Sequence, residues 1–364
     1  MTTLEPIRYA PSLEAPRPEE AGIHADMIAT FARIQETTAA DYGHAVRGVH
    51  AKSHGLLTGR LAVLPGLPPH LAQGAFAAPG EHEVVLRLST NPGDILDDSV
   101  STPRGLALKI LGVAGERLPD AEGTTQDFVL ANAPAFVAPD AAAFLGNLKL
   151  LAATTDTPGV FKTAFSALMR GVESVLEGLG TKSPTVIALG GHPETHILGE
   201  TFYSQVPLRW GDHVAKVAVA PVSPGLTALT GAALNVNGRP NGLREAVVAF
   251  FAETEGVWEL RAQALTNPDT MPVEDASVPW PEAESPYVAV ARITVPRQDA
   301  WSPERVARLD DGLAFSPWHG IAAHRPLGSI MRARRATYPR SADFRARRNG
   351  CPIREPARLD GVGA

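Results

Sequence analysis

Cysteine is almost missing: Cys351 is the only one in 364 residues. That excludes an internal disulfide framework and a thiolate-built zinc cage, each of which needs several cysteines. A basic excess is missing too. Lys plus Arg number 33 against 39 Asp plus Glu, a formal net charge of −6. Nucleic-acid binding therefore lacks its electrostatic footprint. No apolar run approaches the ~20 residues a membrane span needs. The first 20 residues, MTTLEPIRYAPSLEAPRPEE, hold acids and prolines where a secretory leader has a basic start and an apolar stretch. The expectation is a cytoplasmic protein with no membrane or nucleic-acid partner. Internal repeats and low-complexity tracts are absent as well.

The chain does have ample material for a core, with 44% apolar residues. Its 33 glycines and 32 prolines are scattered, which predicts short elements and many loops. Glu19 to Ala40 carries Ile23, Met27, Ile28, Phe31 and Ile34 at helical spacing. Asp140 to Leu151, Val160 to Leu176 and Leu243 to Glu253 also read as helices. Branched and alternating segments predict strands in Val49 to Leu64, His82 to Leu88, Gly105 to Leu111 and Asp127 to Leu130. Phe202 to Leu208 and His213 to Val219 read as a hairpin turning at Trp210 to Asp212. Val257 to Leu265 and Tyr287 to Val295 alternate again. From Pro303 the tail reads as helical, then irregular and Arg-rich. Strands do not alternate strictly with helices, so the predicted class is α+β around an antiparallel sheet or barrel. The predicted organisation is an arm over 1–20, a single domain over 21–350 and a tail over 351–364.

Five segments carry polar residues among apolar ones. The first is Arg47-Gly48-Val49-His50-Ala51-Lys52. The second is Arg87-Leu88-Ser89-Thr90, whose Arg and Ser share a strand face. The third is Asp98-Ser99-Val100-Ser101-Thr102-Pro103-Arg104-Gly105. The fourth runs from Asn132 through Phe136 to Phe144. The fifth is Arg334-Arg335-Ala336-Thr337-Tyr338-Pro339, followed by Arg345. Singly, each has a plain reading: a structural histidine, a strand end, a loop, a helix cap and a solvated basic tail. His192 and His196 fall in a loop-like stretch poor in other metal ligands. Gly190-Gly191 lacks the Lys-Ser/Thr of a phosphate cradle. No glycine-framed elbow surrounds Ser89, so Ser89 and His50 do not read as a nucleophile dyad.

In this order, RGVHAK, VLRLST, DSVSTPRGLALKI and RRATYPR resemble the haem catalase family, in its short catalase-related branch. The resemblance runs from about Gly43 to Arg348. It implies an antiparallel β-barrel with an N-terminal arm and surrounding helices, and haem b as cofactor. It implies His50 as the distal proton shuttle, Ser89 as its hydroxyl partner and Val49 as an apolar neighbour. Tyr338 matches the axial iron ligand and Arg334 the arginine that pairs with its phenolate. Arg47, Arg87 and Arg345 match the arginines that grip the propionates, and Phe136 and Phe144 the aromatic residues of the distal face and channel. The distal asparagine falls on Ala131 in ungapped register. Asn132, one residue later, is taken for that role.

The implied activity is decomposition or reduction of peroxides through a ferryl intermediate, with hydrogen peroxide and small organic reductants as partners. Alternatives on the same scaffold are a peroxidase or a hydroperoxide-rearranging enzyme with little catalase activity. An alternative of another class is a non-catalytic haem carrier or sensor. The arm hints at embrace between subunits of a homo-oligomer, and nothing points to a nicotinamide cofactor. An imidazole of ordinary pKa ~6.5 suits proton exchange near neutrality.

Overall fold

The computed structural model describes residues 5–100, 102–153 and 194–361. Nine strands pair antiparallel: β1 Lys52–Val63, β2 Glu81–Thr90, β3 Arg104–Ile110, β4 Gln126–Ala131, β5 Phe202–Tyr203, β6 Leu208–Trp210, β7 His213–Pro221, β8 Gly256–Ala264 and β9 Val288–Val295. The order β5-β4-β3-β2-β1-β9-β8-β7-β6 closes through a pairing of β5 with β7. Eight strands thus form a barrel, and β6 is an extra strand beside β7. The architecture is α+β, as expected. The helix expected at Val160 to Leu176 lies outside the described residues.

Alternation decides which side of the wall each residue occupies. The cross-strand rows Leu57–Leu86–Leu108–Phe128 and Leu88–Leu106–Leu130 face inward. They join Val217, Leu260 and Ile293 in the barrel core. The intervening rows, Leu56–Arg87–Ala107–Val129 and Ser53–Ser89–Gly105–Ala131, face outward. Burying one leucine or phenylalanine side chain in such a core contributes about 1.5–3 kcal/mol. That is why the register holds: a one-residue slip would expose the whole inner row.

The outer wall is covered beside Leu56, Arg87 and Ser89 and exposed at Arg60, Arg292 and Thr294. Helix α1, Glu20–Tyr42, packs with α2, Ala141–Ala153, through Met27, Ala141 and Leu145. Helix α3 is Gly242–Glu253. Helix α4, Ser329–Asn349, joins the cluster of α1 and α2 through Ala333. A π-helical turn, Val306–Asp311, leads to Leu313 and Phe315, which pack on Leu56 and Val85 of the wall.

Several details differ from the sequence expectation. Trp210 belongs to β6; the turn is Gly211-Asp212. The Arg-rich stretch is helical through Asn349, although Pro339 lies inside α4. A proline there removes a hydrogen bond and costs about 3 kcal/mol in isolation. Tertiary contacts outweigh it: Arg332 pairs with Glu14, Glu20 and Glu274 on one side. Arg345 donates to the carbonyls of Asp310 and Leu313 on the other. The arm lies on its own chain, with Ile7 N donating to Leu265 O at 2.8 Å and Tyr9 N to Asp212 O at 2.7 Å.

Candidate functional site

The site begins at a backbone irregularity. His50 has φ +51°, the left-handed region that L-residues other than Gly, Asn, Asp and His rarely enter. β1 begins two residues later, and this φ breaks the alternation that Lys52 would otherwise impose. The imidazole lies over Gly105, where a Cβ would come 2.7 Å from Nδ1 of His50 and 3.2 Å from Oγ of Ser89. Ser89 and Gly105 are directly paired across β2 and β3. The structure therefore brings His50 and Ser89 together over one side-chain-free spot. Nδ1 is buried and has no hydrogen-bond partner among the described residues. Val49, beside it, is half-buried.

His50 departs from the expected titration. Burial, reinforced by the nearby charges of Arg87 and Arg334, depresses its pKa to about 3. The ring is neutral throughout the physiological range. A basic environment favours the uncharged form, which no local spacing could reveal.

Arg47, Arg87 and Arg345 come from three distant stretches and meet at one segment. Arg87 donates through Nε to Asp310 Oδ1 at 2.8 Å and through Nη2 to Ala51 O at 3.0 Å. Arg47 pairs with the same carboxylate and donates to Leu313 O at 3.0 Å. Arg345 donates to Asp310 O and Leu313 O, both at 3.1 Å. Arg87 is 2% exposed and Arg345 is 3% exposed. Burial lowers all three, reinforced at Arg47 and Arg87 by the neighbouring arginines, with Arg87 at about 9 and Arg345 at about 10. Arg87 and Arg345 remain charged at neutral pH. Asp310 was not singled out from sequence, because nothing about Leu-Asp-Asp-Gly marks a carboxylate that will meet two arginines.

Tyr338 and Arg334 lie one helical turn apart on α4, and Tyr338 is half-buried. The Arg334 guanidinium sits 5.6 Å from the Phe136 ring centroid, and Phe136 packs on Phe144 at 5.0 Å. Arg334 thus touches the aromatic pair at one end and lies near His50 electrostatically.

Asn132 is the residue the structure does not bring in. Its Oδ1 accepts from Arg104 N at 3.0 Å and its Nδ2 donates to Glu200 Oε2 at 2.7 Å. Arg104 also pairs with Glu200 and donates to Thr195 Oγ1. Ala131, not Asn132, shares the outward row of Ser89 and Gly105. The carboxamide of Asn132 is engaged with Arg104 and Glu200.

A second cluster escaped sequence reasoning because its members are far apart in the chain. Asp127, His319 and Glu355 bring ligand atoms within 4.8 Å of one another. Lys109 Nζ lies 2.9 Å from Asp127 Oδ2 and 2.5 Å from Glu355 Oε2. Hydrogen bonds to Asp127 and Glu355 overcome the desolvation that would lower His319, and its pKa rises to about 9. Lys109 and protonated His319 balance the two carboxylates, so the cluster is charge-satisfied without a metal ion. His196, weighed earlier with His192, accepts from Leu198 N through Nδ1 and caps a helical turn.

No protein-family model matches the sequence, and no curated protein matches it. Solved structures do. Catalase A of Saccharomyces cerevisiae has a TM-score of 0.58 at 16% identity, over 84% of this chain and 63% of that one. A fungal catalase gives 0.58 at 18% identity, over 98% and 71%. A bacterial catalase gives 0.55 at 15% identity, over 94% and 63%. The chain spans 63% of the length of the yeast and bacterial structures. Barrel, arm and surrounding helices together identify the architecture: this chain has the catalase fold.

Proposed function

We propose that the chain binds haem b and uses it to decompose or reduce peroxides. The carrying observation is the convergence of Arg47, Arg87 and Arg345 beside His50. Arg47 and Arg87 share the carboxylate of Asp310, while Arg345 donates to its backbone carbonyl. Three buried cations thus have one carboxylate among them, and that excess suits a ligand bringing two more. Buried arginines without anions are costly, and the planar guanidinium binds carboxylates in a forked geometry. The orphaned Nδ1 of His50 and the half-buried Tyr338 fit the same ligand.

In this reading the three arginines hold the propionates. Tyr338 would be the residue that holds the iron, and Arg334 would supply a positive charge one turn earlier on the same helix. Phe136 and Phe144 wall the distal side and exclude water. Bound haem would supply the redox iron that exchanges electrons with peroxide. Ser89 flanks the same side-chain-free spot at Gly105 and makes no hydrogen bond to Nδ1 of His50 in this structure. In this reading it would hold Nδ1, leaving Nε2 to take a proton from one peroxide oxygen and return it to the other. With its pKa lowered to about 3 the ring is neutral but a weak base, so it would hold the peroxide proton only transiently before returning it. Overall, two hydrogen peroxides become two waters and one dioxygen.

The engaged carboxamide of Asn132 favours a second reading, in which an organic reductant rather than a second peroxide completes the cycle. Carrying haem alone requires no proton shuttle, so the pairing of His50 with Ser89 speaks against a simple carrier.

The test is the absorption spectrum of the purified protein against Tyr338→Phe, followed by oxygen release from hydrogen peroxide. A ferric haem band altered by the substitution, with rapid oxygen release, is expected. Slow release with oxidation of an added phenol selects the second reading. Absence of haem after expression with ample haem precursor overturns both.

A further inference from the structure

Resting on that reading, we propose that Asn91, not Asn132, supplies the hydrogen-bond donor to a small ligand held beside His50. Asn91 follows Ser89 by two residues at the end of β2, and its Oδ1 accepts from the backbone N of His50 at 3.2 Å. A backbone N–H can only donate, so this contact orients the carboxamide with Oδ1 toward the chain and Nδ2 away from it. Nδ2 makes no hydrogen bond among the described residues. Asn132 offers no such donor, since its Nδ2 is spent on Glu200.

The carboxamide of Asn91 is held by a fixed main chain. Its N donates to Pro103 O at 3.0 Å and its O accepts from Thr102 Oγ1 at 2.6 Å. Asn91 also lines a small polar cleft together with Thr90, Asp98, Thr102 and Arg104. A donor on a side chain anchored to the His50 backbone is within reach of a small polar molecule held beside that residue. An amide is suited to this place because it holds a peroxide without competing with the imidazole for its proton. The geometry therefore moves the amide from the fourth sequence segment to the second.

The experiment compares fluoride binding to the ferric haem protein by optical titration in wild type, Asn91→Ala, Asn91→Leu and Asn132→Ala. Fluoride accepts hydrogen bonds and undergoes no turnover, so affinity reports the donor directly. Loss of one donor to a charged acceptor predicts affinity about tenfold weaker in both Asn91 variants. Asn132→Ala should leave it unchanged. Far-UV circular dichroism establishes that at least one Asn91 variant is folded, and either suffices. Haem-loaded Asn91 variants with wild-type fluoride affinity overturn this assignment alone, as does weakening confined to Asn132→Ala. A wild-type chain that takes up no haem overturns the functional reading and this assignment with it.

Discussion

Gly105 lacks a side chain where His50 needs the room: a Cβ there would stand 2.7 Å from Nδ1 of the imidazole. Real Cβ atoms do not approach ring nitrogens so closely, so Gly105→Ala must displace the ring or the strand. Displacing a catalytic group by about 1 Å costs on the order of a hundredfold in rate. On the proposed function, peroxide turnover per haem in Gly105→Ala is expected to fall by about that factor while haem content stays near wild type. Turnover measured against pyridine-haemochrome content checks this; unchanged turnover would mean that His50 is not held there.

Asp310 shares its carboxylate between Arg47 and Arg87. Asp310→Ala leaves buried guanidiniums without their anion, and breaking a buried pair in this way costs about 3–5 kcal/mol. The haem-free variant should unfold at distinctly lower urea. Added haem should restore more stability to the variant than to wild type, because propionates then face uncompensated arginines. Urea unfolding with and without haem measures both.

His319 ties the C-terminal segment to the barrel through Asp127 and Glu355. Its folded pKa, about 9, lies above the unfolded value of ~6.5. The folded state therefore holds the proton more tightly. The stabilisation is complete below pH ~6.5 and is lost as pH rises through about 9. Glu355 has the opposite sign: its pKa falls to about 2, so its share is present above the ordinary carboxylate range and lost on acidification. His319→Gln should lower the melting temperature near pH 6, with the gap from wild type narrowing as pH rises past 9. Melting curves across that interval decide it, and a constant gap would contradict the assigned protonation.

Much of the barrel was legible because alternation is local. The Leu86 and Leu88 rows and the branched runs of β3 and β9 announce half-buried strands without reference to partners. Helix α1 was legible from Ile23 to Ile34 for the same reason. The full length of α4 was not legible, since Pro339, a breaker inside it, is overruled only by contacts with Glu14, Glu20, Glu274 and Leu313. Asp310 and Glu355 were illegible, because their roles depend on groups hundreds of residues away.

The ordered motifs from Arg47 to Arg345 determined the chemical inventory: a histidine, a serine, a tyrosine and arginines suited to one anionic cofactor. Residue type and order suffice for that, because charge and hydrogen-bonding capacity belong to the side chains themselves. Closure of the barrel decided the rest. It chose Ala131 over Asn132 for the outward row, turned Asn91 toward His50, and gathered three arginines on Asp310. It also lowered the His50 pKa, chiefly by burying the ring and secondarily by bringing Arg87 and Arg334 near it. These outcomes depend on cross-strand register and burial, which arise only when distant segments share one wall.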